Sequence, residues 1–199
     1  GKALYVGISS YGPELTSEAA EFMAEEGCPL IINQPSYSIV NRWVEEPGED
    51  GDSLLASAAD SGLGIIAFSP LAQGLLTNRY LNGVPGDSRA AAMKSLSNDM
   101  LSAENLEMIT RLNDIAQERE QSLAQMAIAW VLRQQGEYGV ETVASALIGA
   151  SSVAQLDENL DSLNNLEFSD AELKAIDDVA RDAGINIWAG ATASRRHAD

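Results

Sequence analysis

Cys28 and His197 are the only cysteine and the only histidine in this chain of 199 residues. One cysteine excludes an internal disulfide framework and fits a reducing compartment, so a cytoplasmic location is expected. Cys28 follows a helical stretch and precedes an apolar run, which reads as a buried structural thiol rather than a nucleophile. His197 stands in the polar tail "ASRRHAD", which excludes a histidine-based acid–base or metal site inside the fold. Aromatic residues make up only 6%. Basic residues are few as well: 12 Lys and Arg face 30 Asp and Glu, a formal net charge of -18. Such a balance repels nucleic acid and anionic membrane, and neither is expected as a partner. No signal peptide is expected, and no apolar run approaches the roughly 18 residues of a membrane span. The chain opens "GKALYVG", without methionine and already strand-like, with nothing upstream to pair that strand. A piece of something larger is expected.

What is present is an ordinary globular composition, 45% hydrophobic and 21% charged, enough for one domain spanning 1–199. Four apolar, β-branched-rich runs predict strands at residues 3–10, 29–37, 63–70 and 142–150. Helical patterns follow them: 13–27 with Pro13 at its start and Gly27 at its stop, 52–62, the pair 103–120 and 122–135, then 152–163 and 169–184. The connection from "LAQGLL" to about Asp99 is too long for an ordinary βα loop. Near-continuous apolar strands alternating with helices imply a parallel sheet covered by helices, either an open doubly wound sheet or part of a β/α barrel. Polar residues stand at the C-terminal end of every strand: Ser9 and Ser10, Asn33 and Gln34, Ser69, then Ser151 and Ser152. Convergent strand ends are what a barrel mouth requires, so half a barrel is the expected architecture.

The segment "SALIGASSVAQLDENL" (residues 145–160) passes from an apolar strand through a glycine into a polar helix start. Two readings are open. Backbone N–H groups at a helix N-terminus attract phosphate, and Ser152 with Gln155 has the spacing of a simple capping box.

Together "YVGISSY", "NQPSYSIVNR", "IIAFSPLAQGLLTNRYL" and "LIGASSVAQLDENL" resemble successive strand-end motifs of the aldo-keto reductases, and the likeness runs through "LNNLEFSDAELKAID". The resemblance implies the C-terminal half of a (β/α)8 TIM barrel, strands five to eight, as four parallel strand–helix units plus extra C-terminal helices. It implies that Ser9, Ser10 and Gln34 hold a nicotinamide carboxamide, and that Tyr37 offers the ring on which nicotinamide stacks, although core packing would equally explain Tyr37. Ser69, Pro70, Leu71 and Gly74 match the segment passing over the pyrophosphate. Arg79 and Arg89 match basic positions facing the cofactor phosphates, with a surface ion pair as the plainer reading. Gly149, Ser151 and Ser152 match the 2′-phosphate end, and Gln155, Glu158 and Asn159 the adenine and its ribose. Many relatives carry arginine where this chain has Ser152, which leaves NAD possible beside NADP.

The family's general-acid tyrosine, with its lysine, aspartate and histidine, lies on the other half of the barrel. Lys2, Lys94 and Lys174 match none of the family's lysine positions, and neither Tyr37 nor Tyr80 matches its tyrosine, so no catalytic residue and no metal ligand is named. The expected function is that of an NADP(H)-dependent oxidoreductase of small aldehydes and ketones, such as glyceraldehyde 3-phosphate or methylglyoxal. This chain then supplies most of the cofactor site and is expected to be inactive alone. The alternatives are a non-catalytic module that binds or senses nicotinamide nucleotides, and an inactive truncation. Small carbonyl substrates are the expected partners of the intact enzyme, along with self-association or a missing N-terminal half.

Overall fold

A computed structural model of the chain describes residues 2–81, 99–134 and 143–186. Four strands, β1 (Val6–Ile8), β2 (Leu30–Asn33), β3 (Gly64–Phe68) and β4 (Val143–Leu147), form one sheet in chain order, with every adjacent pair parallel. Helix α1 (Pro13–Glu25) links β1 to β2, α2 (Leu54–Asp60) links β2 to β3, and α3 (Ala103–Glu118) with α4 (Leu123–Leu132) lies between β3 and β4. Helices α5 (Val153–Leu160) and α6 (Asp170–Val179) follow. All strand C-termini therefore point the same way.

The strands are shorter than the apolar runs that announce them. Among the described residues β1 has β2 on one side only, and Leu4 and Tyr5 ahead of it are exposed. β2 stops at Asn33, since Pro35 lacks an N–H, and pairing resumes only at an isolated bridge between Ser36 and Phe68. Gly7 is required where β1 meets β2, because a Cβ there would stand 2.4 Å from Ile32 Cγ1. The expected helix at 152–163 divides into α5 and a 3₁₀ turn, Asp161–Asn164. That at 169–184 ends at Val179, after which the chain runs back so that Ala183 N–H reaches the Val40 carbonyl.

The core lies between the sheet and its helices. Ile65 and Ala67 of β3 are fully buried. So is most of α4, where Leu123, Met126, Ala127, Trp130 and Val131 contribute to the core. A helix apolar on all sides needs neighbours on all sides, and α4 has β4, α3, α5 and the 161–164 turn around it. Its start is fixed by a full capping box between Ser122 and Gln125.

Three helices end in the same way. At α1 the Gly27 N–H reaches Ala24 O and the Cys28 N–H reaches Met23 O. At α2 Gly62 and Leu63 bond back to Ala59 and Ala58, and at α3 Glu120 and Gln121 bond back to Gln117 and Ala116. This is the Schellman closure, with the left-handed position taken by Gly27, Gly62 and Glu120. Cys28 is therefore the closing residue of a helix stop rather than the first residue of a buried strand. Its thiol is exposed, which corrects the expectation of a buried one.

Candidate functional site

A cleft of about 910 Å³ opens at the C-terminal ends of β3 and β4. One wall is Phe68 and the loop after β3, through Tyr80, and the other runs from Leu147 along α5 to Asn159. The loop is bent by an unusual run of left-handed backbone: Ser69 (φ 56°), Ala72 (φ 49°), Gln73 (φ 58°) and Gly74 (φ 96°). Only glycine takes this region without penalty, and strain of this kind concentrates where a backbone is shaped around a ligand. Thr77 pins the loop, its hydroxyl donating to Gly74 O at 2.7 Å and accepting from Arg79 N–H at 3.3 Å.

Ser69, Pro70, Leu71, Gly74 and Arg79 line the first wall. Gly149, Ser151, Gln155, Glu158 and Asn159 line the second. Residues about eighty positions apart in sequence thus face one space. Two carboxamide donors in the walls have no partner among the described residues: the Nδ2 of Asn159, which is 3% exposed, and the Nε2 of Gln73. A buried donor without an acceptor is unfavourable by about 1–3 kcal/mol, so these walls suit a ligand rich in acceptor oxygens and nitrogens. Arg79 adds a positive charge that is rare in this chain.

The capping reading of the 145–160 segment holds in part. Ser152 is the N-cap of α5 and its Oγ accepts from Gln155 N–H at 3.2 Å. Gln155 Oε1 does not return the bond to Ser152. It accepts instead from the N–H and the hydroxyl of Ser151, at 2.8 and 3.0 Å. Ser152 closes the helix outside the cleft lining, while Ser151 and Gln155 form a polar step on its wall.

Ser9, Ser10 and Gln34 come together beside β1 and β2, apart from the cleft lining. Ser9 Oγ donates to Gln34 O at 2.9 Å, and Ser10 N–H donates to the same oxygen at 3.2 Å. Arg89 lies outside the described residues, as do Lys94 and His197.

Tyr37 is corrected by the structure. Its side chain is fully buried, tilted against Trp130 with ring centroids 5.4 Å apart, and its hydroxyl donates to Glu45 and accepts from Arg133. Burial pushes its phenol well above the ordinary tyrosine value, against the pull of Arg133. It has no free face for stacking, and core packing is its role. Two aromatic residues line the cleft, Tyr80 and Phe68, the latter at the last position of β3. Strand alternation was the signal for Phe68: Ile65 and Ala67 are buried, so it belongs to the other face. Gln73 is a second residue that the sequence reading passed over.

The sequence pattern of the aldo/keto reductase family matches residues 1–181. The chain belongs to the aldo/keto reductase family. Its parallel four-stranded sheet is accordingly part of a (β/α)8 barrel. Among the curated relatives of this aldo/keto reductase chain are the L-glyceraldehyde 3-phosphate reductases of Escherichia coli O157:H7 and of strain K12. Each is 48% identical over 192 residues, covering 94% of this chain and 52% of the relative. The probable voltage-gated potassium channel subunit beta of Oryza sativa subsp. japonica is 33% identical over 168 residues, 82% of this chain and 48% of its own. The chain thus spans about half the length of the curated relatives it matches. No helix among the described residues is long and apolar enough to cross a membrane.

Proposed function

We propose that this aldo/keto reductase chain provides most of the dinucleotide site of an NADP(H)-dependent reductase of small aldehydes and ketones. The observation carrying this reading is the cleft between the β3 and β4 ends. Arg79 and the unpaired Asn159 amide stand on opposite walls there, with Ser151 and Gln155 at its rim. Arg79 and the strained 69–74 backbone suit a diphosphate, and Ser151 a 2′-phosphate. Gln155, Glu158 and Asn159 offer the mixture of donors and acceptors that adenine and its ribose require. Phe68 gives the flat apolar surface that a nicotinamide ring needs, with Ser9, Ser10 and Gln34 toward its carboxamide. When bound, the reduced cofactor supplies hydride. The residues of this chain bind and orient it.

The name of the reductase relatives suggests a three-carbon phosphorylated aldehyde as substrate, with methylglyoxal as a smaller candidate. Turnover by this chain alone is not expected, because the family's proton-donating tyrosine and its partners match no position here. General acid catalysis is worth about 10²–10⁴-fold. Calorimetric titration with NADP⁺ and NAD⁺ tests the site, with binding expected for NADP⁺ and a weaker response to NAD⁺. Absence of heat with both at millimolar ligand would remove the reading. The likeness to potassium channel β-subunits favours one second reading, a nicotinamide-sensing module without turnover. Binding without aldehyde reduction by a protein containing all eight barrel strands would support it.

A further inference from the structure

The group formed by Ser9, Ser10 and Gln34 is held in place by few contacts. β1 is three residues long, pairs among the described residues with β2 alone, and shifts register between Val6 and Gly7. Beyond it the chain turns at Ser10, in left-handed backbone with φ 59°, before α1 begins at Pro13. An L residue in that conformation persists only where its surroundings over-determine it. The two bonds to Gln34 O from Ser9 and Ser10 tie the turn from above.

Below the turn is Asn33, the last residue of β2, with a fully buried side chain. Its Nδ2 donates to Tyr11 O at 3.1 Å and to Thr16 Oγ1 at 3.0 Å. Tyr11 directly follows Ser10, and Thr16, also fully buried, lies near the start of α1. One amide group thus joins three elements: the end of β2, the turn, and the helix after it. The other end of the same side chain, Oδ1, is buried with no partner among the described residues. A residue that strands its acceptor in the interior is placed there for its donors.

We propose that Asn33 is a positioning residue for cofactor binding, its amide holding the Ser9–Ser10 turn in the strained form that faces the nicotinamide end. The proposal rests on the dinucleotide site described above and concerns one end of it. Asn33 touches no ligand; it acts through the turn. An aspartate at this position keeps the shape but sets a carboxylate against the Tyr11 carbonyl. Thr16→Val removes only the hydroxyl acceptor, and Thr16→Ser retains it.

The test compares NADP⁺ with 2′,5′-ADP, which shares the adenosine end and lacks nicotinamide, by calorimetry on the full chain with thermal melts alongside. Asn33→Asp is expected to weaken NADP⁺ about tenfold and Thr16→Val about threefold, the scale of one or two lost hydrogen bonds. Thr16→Ser should match the wild type, and 2′,5′-ADP affinity should stay within about twofold in every variant. Equal weakening of both ligands would reduce Asn33 to a general structural role and overturn the proposal. So would wild-type NADP⁺ affinity in a folded Asn33→Asp or Thr16→Val protein. If Asn33→Asp does not fold, the Thr16→Val and Thr16→Ser pair decides. A wild type that binds neither ligand overturns the cofactor site itself, whereas one that binds both with unaltered variants overturns only the role of Asn33.

Discussion

Ser151 and Ser152 are adjacent and chemically identical, yet the helix start assigns them to different neighbours. Ser152 caps α5, whereas Ser151 bonds Gln155 on the cleft wall. Ser152→Ala should therefore lower stability by about 1 kcal/mol in chemical denaturation while leaving NADP⁺ affinity unchanged. Ser152→Arg should strengthen NADP⁺ relative to NAD⁺, because only NADP⁺ brings a 2′-phosphate to a new guanidinium. Identical affinities in that variant would show that the start of α5 does not face the 2′-phosphate. Arg79→Ala should weaken both dinucleotides about tenfold, as expected for one charge-assisted contact, and titration calorimetry reads it directly. Ser69 and Ser151 were legible in the sequence because each stands shortly after a strand, whereas Arg79, Gln155, Glu158 and Asn159 were named through the family resemblance, and Phe68 and Gln73 were missed. Tyr37 was not legible. Whether an aromatic side chain after a strand turns outward or inward depends on what meets it, and here Glu45 comes from the following loop while Trp130 and Arg133 arrive from the distant α4 end.

Helix stops show what an element can reveal about its own neighbours. Gly27 and Gly62 announced two of the three Schellman closures in the sequence. The third was silent, because Glu120 occupies the left-handed position at φ 57°. Glu120→Gly should relieve that strain and raise stability by about 1 kcal/mol, measured by urea unfolding. The same helix end carries Arg119, nearly buried over the Phe168 ring, bonding Gln121, the Glu167 carbonyl and the Glu172 carboxylate. Burial raises the pKa of Glu172, but the Ser169 hydroxyl and N–H and the Arg119 guanidinium outweigh it and hold the carboxyl below the usual glutamate range. A depressed folded pKa contributes stability above the ordinary glutamate value and loses it as the pH falls through the folded one. Unfolding free energies followed from neutral into acid should therefore fall less steeply in Glu172→Gln than in the wild type. Parallel slopes would separate this carboxylate from the acid sensitivity of the fold. Element types were readable from periodicity, whereas their ends were not, since Pro35, the 161–164 turn and the return of residues 180–186 depend on tertiary pairing.

Across the whole molecule, apolar side chains lie open on both flanks of the sheet. Leu4, Tyr5 and Phe22 are exposed on the β1 and α1 side, and Leu147, Val153, Leu160 and Leu163 on the β4 and α5 side. Patches of this kind drive association, against which a formal charge of -18 works. Sedimentation velocity on the chain alone should show concentration-dependent assembly, and Phe22→Glu combined with Leu163→Glu should shift it toward monomer. A wild-type monomer at all concentrations would mean that charge repulsion prevails. The parallel order β1-β2-β3-β4 was legible because strand and helix patterns alternate, and the sidedness of the flanks was not, because it belongs to the assembled sheet. One further property follows from the Schellman closure of α1. Cys28 lies at the N-terminal end of β2, whereas the cleft lies at the opposite ends of the strands. With a single thiol in the chain, a maleimide dye attaches at one known point, and its fluorescence can follow ligand titrations from the far side of the molecule without competing for the cleft.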